Sequence, residues 1–155
     1  MEKLMLGKTI PDFSAPATGD TTFRLSDHKG HPVILYFYPK DNTPGCTAEG
    51  ADFRDLHTQF AKLSAVVVGV SRDTVKSHDS FRSKMQFPFP LISDADEKLC
   101  ALFDVIKMKN MYGKKVRGVE RSTFLVDADG KLAREWRKVK VEGHVAEVLE
   151  AVKAL

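Results

Sequence analysis

The chain is short of cysteine, of long apolar runs and of a dominant charge, and each shortage removes a class of protein. Two cysteines, Cys46 and Cys100, in 155 residues are too few for the disulfide framework of a small secreted scaffold. A reducing, cytoplasmic setting is therefore expected, where an isolated cysteine is either reactive or a small buried hydrophobe. No segment reaches the roughly 18 consecutive apolar residues of a membrane span. The start, Met1-Glu2-Lys3-Leu4-Met5-Leu6-Gly7, has neither the apolar core nor the cleavage pattern of a signal peptide. A net charge of +3 with acids and bases interleaved is too weak to argue for nucleic acid. The one local excess is Lys107 to Arg121, with six basic residues against Glu120 alone.

Other signatures are missing as well. There is no Cys-x-x-Cys, which argues against thiol–disulfide exchange between two neighbouring sulfurs. No Gly-rich phosphate loop and no Gly-x-Ser-x-Gly elbow occurs. Five histidines are present, but His28 and His31 only flank a Lys-Gly turn, with no cysteine or carboxylate cluster to suggest zinc. Neither a metal nor a cofactor is expected.

What is there reads as one compact α/β domain over residues 1–155. The hydrophobic share of 43% and charged share of 29% are those of an ordinary globular protein. Residues 1–20, with Pro11 and Pro16, read as an irregular leader before a short edge strand near Thr22–Leu25. Val33 to Tyr38 and Ala65 to Val70 are continuous apolar runs, the pattern of strands buried on both faces. Between them Phe53, Leu56, Phe60 and Leu63 recur at helical spacing. A second helix carries Val75, Phe81 and Met85 behind Asp73 as N-cap, and Phe87-Pro88-Phe89-Pro90 ends it. A short strand at Leu91–Ser93 and a short helix from Asp96 to Phe103 follow. Thr123–Val126 and Leu132–Trp136 form a hairpin about Asp127-Ala128-Asp129-Gly130, and Val145, Val148, Leu149, Val152 and Leu155 mark a closing helix. Right-handed crossovers then give a mixed central sheet flanked by helices, thioredoxin-like in order.

Cys46 sits where the first buried strand gives way to a helix, after Pro39-Lys40-Asp41-Asn42-Thr43-Pro44-Gly45. Thr43 suits the cap and Pro44 the first helical position, whose N–H has no intrahelical partner. Cys46 then lies in the first turn, where unpaired amides and the helix dipole favour thiolate over thiol. Thiolate is the nucleophile, so the position reads as chemistry. Arg121, at the start of a buried strand that continues Ser-Thr-Phe-Leu-Val, is expected to face inward rather than to be one more surface charge of the basic stretch.

Pro39, Thr43 and Cys46 fit the P-x-x-x-T-x-x-C signature of the peroxiredoxins. The longer string Phe37-Tyr38-Pro39-Lys40-Asp41-Asn42-Thr43-Pro44-Gly45-Cys46-Thr47-Ala48-Glu49 resembles the bacterioferritin comigratory protein branch, also called peroxiredoxin Q. Further matches lie at Phe89–Asp94, Lys109–Gly113 and Arg121–Leu125, in family order over nearly the whole chain. The resemblance implies a bacterial, thiol-dependent peroxidase acting on hydrogen peroxide and organic hydroperoxides. By it Cys46 would be the peroxidatic cysteine, and Thr43 would place its hydroxyl against thiolate and peroxide. Pro39 would shield the sulfur, and Arg121 would hydrogen-bond the thiolate and the substrate oxygens.

Where relatives carry a resolving cysteine, this chain departs from them. Five residues after Cys46 stands Ala51, and the alternative position on the next helix is Arg82. Cys100, in Leu99-Cys100-Ala101-Leu102-Phe103, reads as a core residue. The expectation is a one-cysteine cycle reset by an external thiol, either thioredoxin or glutaredoxin with glutathione. The resemblance implies a monomer or weak dimer. A thioredoxin-like reductase is disfavoured by the missing second cysteine, and a redox sensor would react only once per reduction event.

Overall fold

A computed structural model describes residues 4–155, the side chain of Met111 apart. Seven strands form the central sheet in the order β2-β1-β5-β4-β3-β8-β9. Their spans are β1 Ser14–Ala17, β2 Thr21–Arg24, β3 Val33–Phe37, β4 Val66–Ser71, β5 Leu91–Ser93, β8 Ser122–Val126 and β9 Leu132–Trp136. The middle three, β3, β4 and β5, are parallel, and β8 joins β3 antiparallel. Every residue of β3 and β8 is buried, as continuous apolar runs require of strands covered on both faces. The sheet is mixed, flanked by helices and thioredoxin-like, as its element order predicts.

Because side chains alternate across a strand, β3 feeds two separate cores. Val33, Leu35 and Phe37 pack with Val68, Val70, Leu99, Cys100 and Phe103. Ile34, Tyr36 and Tyr38 pack on the other face with Cys46, Phe53, Phe60, Phe81 and Val148. That second face is covered by residues of α1 Pro44–Asp55, α2 His57–Lys62, α3 Val75–Met85 and α5 His144–Lys153. On the first face lies the short α4, Lys98–Leu102.

Several expectations need correction. The supposed irregular leader contains β1, which pairs with β2 and touches β5 at Ala17–Ile92. The apolar face Phe53-Leu56-Phe60-Leu63 is not one helix: the chain leaves helical geometry at Leu56 (φ −98°, ψ 3°), between α1 and α2. Thr74 rather than Asp73 caps α3, accepting from the Ser77 amide at 3.1 Å. The basic stretch from Lys107 conceals an antiparallel hairpin, β6 Ile106–Met111 and β7 Lys114–Val119, forming a sheet of its own. Its turn is Tyr112-Gly113, both at positive φ (52° and 80°), the geometry of a tight two-residue hairpin. The Phe87-Pro88-Phe89-Pro90 segment is packing: Phe87 and Phe89 are buried and stacked at 5.0 Å.

Candidate active site

Two neighbouring strands bring together residues 75 positions apart. Phe37 at the end of β3 is opposite Ser122 at the start of β8. The chain leaving β3 for α1 therefore passes Arg121 as it enters β8. Thr43 occupies the N-cap position and Pro44 the first helical one. Cys46 follows in the first turn, 2% exposed. Arg121 Nη2 donates to Cys46 Sγ at 3.4 Å, and its Nη1 donates to Glu49 Oε1 at 2.7 Å. Cys46 and Glu49 are three apart on α1, hence on one helical face, and one guanidinium spans both. Gly45 makes room for it: a Cβ there would lie 2.9 Å from Arg121 Nη2.

Glu49 went unrecognised in the sequence, where it served only to end the motif string. Its side chain is 0% exposed, and among the described residues Oε2 has no hydrogen-bond partner. Burial pushes its carboxyl up to about 7, against the pull of the Arg121 charge and hydrogen bond. A carboxylate costs free energy to bury unless paired, so the Arg121 contact is what holds charge here. Arg121 in turn is drained by its own burial, but the Glu49 and Cys46 charges outweigh that and raise its basicity further. An acid three residues after a first-turn cysteine is the signal that could have exposed Glu49.

Thr43 behaves differently from the expected cap. Its hydroxyl donates to the Lys40 carbonyl at 2.9 Å and makes no side-chain cap bond. It thereby closes the loop ahead of Cys46. Pro39 is half-buried in the same loop. Of the four residues singled out, Cys46 and Arg121 are in hydrogen-bond contact, while Thr43 and Pro39 shape the approach to α1.

A buried polar cluster anchors that loop from below. Asp41 accepts from Tyr38 Oη (2.7 Å) and Ser77 Oγ (2.8 Å), and lies 2.7 Å from His78 Nδ1. His78 Nε2 faces the Ile92 carbonyl at 2.8 Å, which only accepts, so that nitrogen carries a proton. Burial works against the Asp41 carboxylate, but the His78 and Tyr38 hydrogen bonds prevail and hold its carboxyl below the usual range. The Asp41 amide donates to Asp73 Oδ2 at 2.9 Å, and Ser71 Oγ donates to the same oxygen at 2.6 Å. Asp41, Asp73 and His78 converge closely enough to suggest metal ligation. Asp41 Oδ2 meets His78 and Ser77, and Asp73 Oδ2 accepts from the Asp41 amide and the Ser71 hydroxyl.

Cys100 is buried on the other side of the sheet, in the core that contains Leu35 and Phe37 rather than Tyr36 and Tyr38. Its amide donates to Asp94 Oδ2 at 2.8 Å, and burial beside that carboxylate pushes the thiol strongly up. Ala51 is half-buried on α1. Arg82, on α3, donates from Nε to the Phe89 carbonyl at 2.9 Å.

A thioredoxin-like sheet that sets a buried thiol at a helix start, against a guanidinium, defines a thiol-based redox protein. Residues 6–135 match the AhpC/TSA family, and the chain belongs to that family, as one of its peroxiredoxins, which are thiol-dependent peroxidases. It is 57% identical to peroxiredoxin Bcp of Xanthomonas campestris pv. campestris over 92% of this chain and 89% of that one. To peroxiredoxin Bcp of Bacillus subtilis it is 51% identical, over 96% and 94%. Among solved structures, a Xanthomonas campestris bacterioferritin comigratory protein studied for alkyl peroxide reduction superposes with a TM-score of 0.90 at 54% identity, covering 97% of this chain and 96% of that one. A mutant peroxiredoxin Q of Xylella fastidiosa gives 0.93 at 48%, covering 99% and 98%.

Proposed function

We propose that this chain reduces hydrogen peroxide and small organic hydroperoxides by a one-cysteine cycle centred on Cys46. The observation that carries the reading is the 3.4 Å hydrogen bond from Arg121 to the Cys46 sulfur at the start of α1, with the second thiol across the sheet. In the first step the Cys46 thiolate attacks the terminal peroxide oxygen. The S–O bond forms, the O–O bond breaks, and the leaving alkoxide or hydroxide takes up a proton, leaving Cys46 as sulfenic acid. Negative charge moves from sulfur to the leaving oxygen, so donors fixed along that line lower the barrier. Arg121 supplies them, with a charge independent of physiological pH.

Thr43 has a supporting role. Its proton is committed to Lys40, which leaves oxygen lone pairs free to accept from the peroxide O–H. Pro39, half-buried, excludes water from the sulfur. Resetting needs an outside thiol, since Ala51 and Arg82 stand where a second thiol would serve. One thiol condenses with the sulfenic acid, releasing water and forming a mixed disulfide. A second thiol displaces it and restores Cys46. Thioredoxin, or glutaredoxin with glutathione, fits that chemistry. We further propose a single domain over residues 1–155, a monomer or weak dimer, working in the bacterial cytoplasm; no helix among the described residues is long and apolar enough to cross a membrane.

The test is to treat reduced protein with one equivalent of peroxide and weigh it. One added oxygen on Cys46, stable until a thiol is supplied, is expected. Loss of two hydrogens with a Cys46–Cys100 or intermolecular link would sink the one-cysteine cycle.

A further inference from the structure

The β6–β7 hairpin stands apart from the central sheet as two strands of its own. Between Ile106 and Val119 it carries Lys107, Lys109, Lys114, Lys115 and Arg117, and no acid. Among its described side chains, three large apolar ones are exposed: Met108, Val116 and Tyr112, the last fully. Directly opposed residues of an antiparallel pair share a face, so the register sorts them. Lys109 with Val116, and Lys114, lie on one face; Met108 with Arg117, and Lys115, lie on the other.

The first of these faces belongs to the active-site side. Lys109 lies near enough to Arg121 and Cys46 for both charges to act on it, and its ammonium donates to the Val119 carbonyl, two residues before Arg121. The hairpin is also braced. Glu97 accepts from Arg117 Nη1 and Nη2, at 2.7 and 2.5 Å, and takes a third bond from Arg72 at 3.0 Å. A basic arm braced by Glu97, with Val116 and Tyr112 exposed and its root two residues from Arg121, has the composition of an interface rather than of a solvated loop.

We propose that the face bearing Lys109, Val116 and Lys114, with Tyr112 at the tip, docks the protein that reduces oxidised Cys46: a dithiol protein with an acidic, apolar-centred face. The inference rests on the external-thiol reading above. Cys46 has no second thiol on its side of the sheet, so the reducing sulfur must arrive on another molecule. Charge complementarity selects an acidic one and speeds its encounter. The docked protein's first thiol condenses with the Cys46 sulfenic acid, releasing water. Its second thiol then breaks the mixed disulfide, leaving Cys46 reduced and the partner oxidised.

The experiment compares the full chain with Lys114→Glu/Val116→Asp and with Lys115→Glu, using a thioredoxin of net negative charge and, separately, dithiothreitol. The double variant is expected to lose about tenfold in kcat/KM for thioredoxin, and its salt dependence should flatten. Lys115→Glu, on the far face, should lose less. Single-turnover oxidation by peroxide and turnover with dithiothreitol should match wild type in both. Full thioredoxin efficiency in the double variant overturns the proposal. So does wild-type protein that turns over with dithiothreitol but not thioredoxin, or a loss shared equally by both reductants. Failure of the peroxidase reading itself is distinct: it shows as no single-turnover oxidation of wild type.

Discussion

Cys46 and Cys100 are hidden to nearly the same degree, 2% and 0% exposed, yet they lie against neighbours of opposite charge. Cys46 lies in the first turn of a twelve-residue helix and receives a guanidinium hydrogen bond. Cys100 lies in a five-residue helix beside the Asp94 carboxylate, where burial of the thiol, and then the hydrogen bond and charge of Asp94, oppose a thiolate. Burial alone therefore does not separate the two sulfurs; the sign of the nearest charge does. The alternation of β3 divides the two cores, so neither sulfur reaches the other through the sheet.

The largest way to break this contrast is to remove the sulfur proposed to react. Cys46→Ser should abolish peroxide consumption with any thiol donor, in a coupled assay of peroxide loss. Residual turnover would mean that Cys100 reacts, and the contrast would fall. Next is the charge that distinguishes the sites. Arg121→Met should slow single-turnover oxidation about a hundred- to a thousandfold, the scale of losing a donor aimed at developing charge. A stopped-flow rate close to wild type would show that the 3.4 Å contact is incidental.

The reactive side also depends on its foundation. His78→Ala leaves the buried Asp41 carboxylate without its ring partner, which should cost about 1.5–3 kcal/mol, the scale of a lost hydrogen bond to a charged group, in denaturant unfolding. Since Asp41 belongs to the loop before α1, oxidation of Cys46 should slow while the Cys100 core stays protected in hydrogen exchange. Equal loss of protection on both faces would contradict this polarity.

Glu49 sharpens the comparison through pH. Its carboxyl titrates near 7 in the folded protein, above its ordinary 4.5, because it is buried. From pH 4.5 to 7 the folded state thus holds more proton than the unfolded one. Stability from this group is complete below pH 4.5 and is lost as pH rises through about 7. Glu49→Gln should remove that slope, worth on the order of 1–3 kcal/mol, while its amide oxygen still accepts from Arg121. An unchanged slope in unfolding measured across this range would place the titration elsewhere.

How much of this was legible depended on whether a neighbour in space was also a neighbour in sequence. The runs at Val33 and Ala65 declared buried strands, and Thr43-Pro44-Gly45-Cys46 declared a helix start, because those signals are local. The β6–β7 hairpin was obscured: Ile106-Lys107-Met108-Lys109 alternates apolar and basic residues, but none of the four is fully buried, so no apolar core face marks a strand, and Tyr112-Gly113 is a turn only once its φ values are known. The small, proline-bearing Ser-Ala-Pro-Ala of β1 carried no strand signal either. Asp41 and His78 are 37 residues apart, and no spacing rule joins them. Thr43 fits the cap position by type, but its hydroxyl is claimed by Lys40, a choice that only loop geometry decides.

The smallest expected effect tests the silent side of the contrast. Cys100→Ala removes a sulfur from a packed core, which should cost about 1 kcal/mol through the small cavity left. Leu99, Phe103 and Val105, all within that core, confine the relaxation. Because Cys100 packs against the Leu35 and Phe37 face while Cys46 packs against the Tyr36 and Tyr38 face, peroxide turnover with an external thiol should be unchanged. The mass of the oxidised variant should show the same single added oxygen as wild type. A variant that reacts once with peroxide but no longer recycles would make Cys100 a resolving thiol. Reaching it would require one core to open during the cycle, and the sheet would then be a gate rather than a wall.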